Sequence, residues 1–265
     1  MTLTTKKDPL ILYGQSFNSR LLMGTARHPS MESLKASVRA TQAEIVTVSL
    51  RREAAAGKEG QLFWENVRQM HLKVLPNTAG CFTVKEAMVT AQMAREVFQT
   101  SWIKLEVLGD PTSLCPNVIG LLEASKLLIS EGFQVFPYMT DDICVAEQLL
   151  CAGCEVLMPW AAPIGSGRGI NDPYSLRQFR QRFADVPIIV DAGIGRPSQA
   201  AAVMEMGIDA ILLNTAIAKA GAPVAMASAF RDAIGAGRTA YLAEPMKVQE
   251  NAIASTPNIG KAELA

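Results

Sequence analysis

Neither sign of charge predominates in this sequence: 25 lysines and arginines offset 25 aspartates and glutamates, for a formal net charge of zero. Binding to nucleic acid or to a membrane surface calls for a basic excess, and none is present. No apolar run approaches the ~18 residues of a membrane span. The first 14 residues hold only a short apolar stretch, 10–13, too short for the core of a signal peptide. Histidine occurs only as His28 and His71, far from any cysteine pair, so no histidine–cysteine–acid cluster for a metal is spelled out. Cysteine is sparse and odd in number: Cys81, Cys115, Cys144, Cys151 and Cys154. Such a scatter is not a disulfide framework and fits a reducing cytoplasm. Cys151 and Cys154 form a lone C-x-x-C, either a redox pair or half a zinc site, or else two small apolar residues around the Ala-Gly that ends a helix. No second C-x-x-C accompanies them, which favours the helix end. What the chain does have is core: 49% of its 265 residues are apolar and 19% charged. A chain of this length buries roughly three quarters of its unfolded surface, so it needs no disulfide or metal staple.

Short apolar, partly β-branched runs recur at 45–50, 73–77, 102–108, 134–138, 155–159, 187–191 and 210–214, with a weaker first one at 21–24. Runs of this kind suit strands buried on both faces of a parallel sheet. Helical patterns lie between them at 31–42, 83–96, 118–130, 141–150, 173–183, 197–206 and 223–234. Ser30 is a ready N-cap, and Thr83 with Glu86 has capping-box spacing. Several of these helices stop at a glycine, such as Gly153 and Gly207, shortly before the next strand. Eight strands about 20 to 32 residues apart, alternating with helices in a chain of this length, predict an α/β fold closed as a (β/α)₈ TIM barrel. The rival, a doubly wound open sheet, would place a G-x-G-x-x-G after its first strand, and there is none. Nothing splits the chain, which reads as one barrel domain over 1–265. The stretch from about Pro245 is polar and patternless, as mobile tails are.

A barrel keeps its chemistry at the C-terminal ends of its strands. In Ile103-Lys104-Leu105-Glu106-Val107, Lys104 and Glu106 share one face and the apolar residues the other, so the charged face looks into the barrel. Burial penalises the ammonium, lowers its pKa and frees a nucleophilic amine. That predicts a Schiff-base lysine with a carboxylate beside it; a structural ion pair is the alternative. The seventh run ends Val190-Asp191-Ala192-Gly193-Ile194-Gly195, an acid followed by glycines and a helix. The eighth ends Leu213-Asn214-Thr215-Ala216. Loops after these two strands commonly hold phosphate in barrels, although glycines can also serve tight turns alone. Gly165, Gly167 and Gly169 make a loop with little steric cover after the sixth run. Pro76-Asn77-Thr78-Ala79-Gly80 is polar at the tip of the third, and Arg51 and Arg52 after the second could hold an anion. The residues alone thus describe a barrel enzyme acting on a phosphorylated carbonyl compound through an imine on Lys104.

Taken together, seven strings resemble the thiazole synthase family of thiamin biosynthesis. They are Ser19-Arg20-Leu21-Leu22-Met23-Gly24-Thr25, Leu75-Pro76-Asn77-Thr78-Ala79-Gly80, Ile103-Lys104-Leu105-Glu106-Val107, Pro137-Tyr138-Met139-Thr140-Asp141-Asp142, Met158-Pro159-Trp160-Ala161-Ala162-Pro163-Ile164-Gly165-Ser166-Gly167, Val190-Asp191-Ala192-Gly193-Ile194-Gly195 and Leu213-Asn214-Thr215-Ala216. They stand in order from about residue 10 to 241, and the set is far more specific than any one member. The resemblance implies an enzyme that joins 1-deoxy-D-xylulose 5-phosphate, the imine of glycine and sulfur from the C-terminal thiocarboxylate of a small ubiquitin-like carrier protein into a thiazole phosphate. It implies Lys104 as the Schiff-base lysine and Glu106 and Asp191 as acid and base. Gly165, Ala192, Gly193, Asn214 and Thr215 become the sugar-phosphate contacts. A cytoplasmic homotetramer that uses no metal or organic cofactor completes the implication. A class I aldolase would share the lysine and the phosphate site but no protein partner, and it would lack the complete set of strings. A barrel that merely binds a phosphorylated metabolite would not need Lys104.

Overall fold

The computed structural model describes residues 8–50 and 58–255. Arg51 and Arg52, read above as anion holders, lie outside the described residues. The elements in chain order are β1 (Leu10–Leu12), β2 (Gln15–Phe17), β3 (Leu21–Gly24), α1 (Met31–Thr41), β4 (Ile45–Ser49), α2 (Lys58–Gln69), β5 (Lys73–Asn77), α3 (Val84–Phe98), β6 (Trp102–Leu105), α4 (Val118–Ser130), β7 (Gln134–Met139), α5 (Ile143–Cys151), β8 (Met158–Pro159), α6 (Pro173–Arg182), β9 (Ile189–Asp191), α7 (Pro197–Glu205), β10 (Ala210–Leu213), α8 (Thr215–Ala218) and α9 (Pro223–Leu242). Strands β3 to β10 are all parallel, in the spatial order β8-β7-β6-β5-β4-β3-β10-β9. Bridges from Leu157 to Ile188 and from Trp160 to Asp191 join the two ends, and the expected (β/α)₈ barrel closes.

Strand alternation sorts the apolar residues into two shells. Ile103, Leu105, Val107, Val46, Val48 and Val190 belong to the shell between barrel and helices. Their neighbours Leu22, Ile45, Leu75, Trp102, Phe136, Met158, Ile189 and Leu212 fill the barrel interior. The helices start where their caps dictate. Ser30 accepts from Ser33 N–H, Asp142 from Val145 N–H, and Thr83 with Glu86 forms the full capping box.

Four parts of the fold differ from expectation. Thr215 and Ala216, read as the tip of the eighth strand, instead open helix α8, because β10 ends at Leu213. Helix α2 has no counterpart among the sequence-derived helices. The hairpin β1–β2 was also not foreseen; its strands are three residues long, too short to show a period. Its loop, Tyr13 and Gly14, has φ of 45° and 72°, the backbone of a type I′ turn. The hairpin seals the bottom of the barrel. Tyr13 donates its hydroxyl to Val135 O at 2.6 Å and packs its ring 5.3 Å from Phe136, while Phe17 lies 5.9 Å from Trp102. Helix α9, expected to stop at 234, runs on to Leu242. Within the extension Gly237 is a contact point: a Cβ there would sit 2.5 Å from Ala201 O of α7. Beyond α9, residues 245–255 form no helix or strand and are exposed. Cys151 is exposed and Cys154 buried, and both are free thiols. Burial pushes the Cys154 thiol up to about 12, so it behaves as a small apolar residue.

Candidate active site

A cavity of about 660 Å³ opens at the C-terminal ends of the strands, above the packed interior. Lys104 projects into it from β6, whose register sets it between Asn77 of β5 and Phe136 of β7. Glu106 follows one residue past the end of β6, on the same face. Asp191 is the last residue of β9, three strands round the ring. The three side chains meet: Lys104 Nζ lies 3.0 Å from Glu106 Oε1 and is in direct contact with Asp191 Oδ2. All three residues are buried, at 5%, 4% and 3% exposure. The face of Tyr138 stands 5.5 Å from the ammonium.

Burial alone was expected to depress the lysine. It does penalise the ammonium, but the carboxylates of Asp191 and Glu106 outweigh it and hold Lys104 above its ordinary value. The resting lysine is a clamped cation. Its contribution to stability is therefore complete below the value in the unfolded chain. It is lost only as pH rises through the raised folded value. Tyr138 moves the same way: burial first, then Asp191 and Glu106, keep its phenol protonated. Its buried hydroxyl has no hydrogen-bond partner among the described residues.

The polar loops surround this triad. Ala192 and Gly193 both have left-handed backbone, φ 71° and 84°, and turn the chain sharply after Asp191. The turn is knitted to the loop after β8. Ala161 N–H donates to Ala192 O at 3.3 Å and Gly169 N–H to Gly193 O at 2.9 Å. Gly193 was expected to be glycine so that an anion could approach. Its missing side chain is in fact taken up by protein: a Cβ would lie 2.4 Å from Ala162 N. Likewise a Cβ on Gly195 would meet Gly167 O at 2.5 Å. The amides of Gly195 and Arg196 are already accepted by Gln199 Oε1, at 2.9 and 3.0 Å. The amides of Gly195 and Arg196 are thus already engaged within the protein, while Ala192, Gly193 and Thr215 line the cavity. Gly193→Ala should lower unfolding free energy by about 2–5 kcal/mol, from overpacking plus left-handed strain. Denaturant titration checks this; an unchanged midpoint would mean that the two loops are not in contact.

Asn214 and Thr215 line the cavity, as do Gly165, Ala192 and Gly193. With its amide nitrogen turned toward β3, Asn214 donates to Gly24 O at 3.2 Å and to Ala26 O at 2.7 Å. Gly24 makes room, since a Cβ there would fall 2.5 Å from the Asn214 side chain. Thr215 Oγ1 lies 3.9 Å from where a Gly165 Cβ would be, so the loop after β8 rests over α8. Arg27, Arg196 and Lys219 stand around the mouth. Sequence reasoning assigned no role to Tyr138 or Thr78. Tyr138 sits in a quoted string but carried no signal beyond alternation.

Comparison with known proteins adds the following. The chain matches the family described as thiazole biosynthesis protein ThiG over residues 11–257. Thiazole synthases of Brucella anthropi and Brucella abortus are each 58% identical to it over 255 residues, spanning 96% of this chain and 100% of theirs. Among solved structures, the BexX/CysO complex of Amycolatopsis orientalis superposes with a TM-score of 0.82 at 28% identity, covering 92% of this chain and 100% of that one.

Proposed function

Because this chain belongs to the ThiG family of thiazole biosynthesis proteins, we propose that it makes the thiazole phosphate of thiamin from 1-deoxy-D-xylulose 5-phosphate, the imine of glycine and carrier-borne sulfur, through an imine on Lys104. The observation that carries the reading is the buried contact of Lys104 with both Glu106 and Asp191 in the barrel cavity. An ammonium must lose a proton before it attacks a carbonyl, and each carboxylate is in place to receive one. Once the imine forms, the carbon next to it is acidified. A carboxylate can then withdraw its proton and return one elsewhere, which shifts the carbonyl along the sugar chain and opens a new ketone to sulfur. Elimination of water steps follow, each with an acid and a base from the same pair.

In this reading the phosphate lies against Gly165, Ala192, Gly193, Asn214 and Thr215, under the positive potential of Arg27, Arg196 and Lys219 at the mouth. The sulfur donor is a small ubiquitin-like carrier protein ending in a thiocarboxylate. Its support is a relative: BexX is captured in complex with a second protein, CysO. The reading also includes action in the cytoplasm, supported by five cysteines that are all free thiols. It includes a homotetramer, supported by large apolar side chains left open to solvent on α3 and α4, Val89, Met93 and Ile119 among them.

Reconstitution with the three substrates tests the whole. Thiazole phosphate should appear only when all three are present, and a folded protein that makes none would overturn it. The clamped lysine adds a pH signature. Because deprotonation of a raised ammonium limits attack, the rate of borohydride trapping with deoxyxylulose phosphate should climb as pH rises from 7 to 9. A flat profile would mean that proton loss from Lys104 is not on the path.

A further inference from the structure

Glu106 lies outside the regular ladder that holds Lys104. Strand β5 ends at Asn77 and β6 at Leu105, and their last paired residues are Asn77 and Lys104. Past that point β5 turns away: Cys81 N–H donates to Thr78 O at 3.1 Å, and Ala79 N–H to Asn77 Oδ1 at 3.2 Å. The turn opens the mouth at Ala79 and Gly80, which line the cavity. It also withdraws the backbone partner that Glu106 would have had. Thr78 supplies the substitute. Its N–H donates to Lys104 O at 3.1 Å. Its hydroxyl accepts from Glu106 N–H at 2.7 Å and donates to Glu106 O at 2.8 Å. One fully buried oxygen therefore holds both ends of the Glu106 residue, where two backbone bonds would stand in a ladder.

We propose that Thr78 is a positioning residue for proton transfer: its hydroxyl fixes the backbone of Glu106 and so keeps the carboxylate at contact distance from Lys104. The inference rests on the function proposed above. Thr78 does not line the cavity, and its hydrogen bonds to Lys104 and Glu106 go to backbone atoms. What it controls is the placement of one carboxylate by fractions of an ångström, and misplacement on the order of 1 Å costs about a hundredfold in rate. A hydroxyl is required because it must accept and donate at once. Valine has the same shape and can do neither.

The test compares Thr78→Val and Thr78→Ser in the complete reaction, with the sugar phosphate, the glycine imine and the carrier thiocarboxylate. Thr78→Val should lower kcat for thiazole formation about tenfold or more. Its KM for the sugar phosphate should stay within about twofold, and borohydride should still place the adduct on Lys104. Thr78→Ser, which keeps the hydroxyl, should restore kcat. A Thr78→Val protein with wild-type kcat would overturn the proposal, as would a serine variant as slow as the valine one. If the valine protein does not fold, Thr78→Ala removes the same hydroxyl with less bulk and is read by the same split of kcat from KM. A wild-type protein that gives no adduct on Lys104 would overturn the function proposed above, and this role with it; a wild type that traps normally confines any failure to Thr78.

Discussion

Borohydride added to the wild-type protein with 1-deoxy-D-xylulose 5-phosphate will fix one reduced sugar phosphate on Lys104, and Lys104→Ala will fix none. Turnover will vanish with the adduct, since among the described residues no other lysine pairs with two carboxylates in the cavity. Lys104 is buried and touches both Glu106 and Asp191, so the alanine variant also leaves two acids facing each other without a cation. Removing one partner of a buried ion pair costs about 3–5 kcal/mol. Lys104→Arg separates the two effects. It keeps a cation in the cavity but cannot form an imine, because a guanidinium does not lose its proton. Both variants should be dead to trapping, and the arginine protein should melt closer to wild type. Intact mass after reduction reads the result, and an adduct mapped to any other lysine would refute the assignment.

Glu106→Gln and Asp191→Asn should behave in the opposite way. Each should still form the trapped adduct, yet thiazole formation should fall about a hundredfold or more, the usual contribution of a positioned acid or base. Trapping should even quicken in Glu106→Gln at neutral pH. The negative charges of Asp191 and Glu106 hold Lys104 in its protonated form, and removing one moves its pKa down toward the working range. A variant faster in the first step and slower overall is hard to obtain by loss of folding. Stopped-flow trapping beside single-turnover product formation would measure both. If the amide variants made thiazole at wild-type rate, the carboxylates would be structural.

Much of this was legible in the sequence because a closed barrel repeats itself. The spacing of the short apolar runs announced the fold, and the i, i+2 relation of Lys104 and Glu106 fixed which face they share. Asp191 could be placed at a strand tip, but its meeting with Lys104 depends on ring closure. The lysine's shift depends on the charges around it as well as on burial: burial is a property of one residue, whereas the second carboxylate comes from a strand 87 positions later (191 less 104). That Gly193 and Gly195 also make room for protein could not be read from the sequence, because the residues that fill their missing side chains, Ala162 and Gly167, sit on a different loop. Thr78 was visible only as a polar tip, since its partner is the peptide backbone of Glu106, which has no sequence signature. The hairpin β1–β2 was too short for any period to show.

That hairpin closes the lower end of an interior already packed with side chains. With Tyr13 and Phe17 closing the bottom against Trp102 and Phe136, the barrel is a cup rather than a tube. Whatever reaches Lys104 enters over the rim formed by the loops after the strands, and whatever leaves goes back the same way. In the function proposed above, the three reactants and the product would all pass through that one doorway. Such a vessel is loaded and emptied in turns.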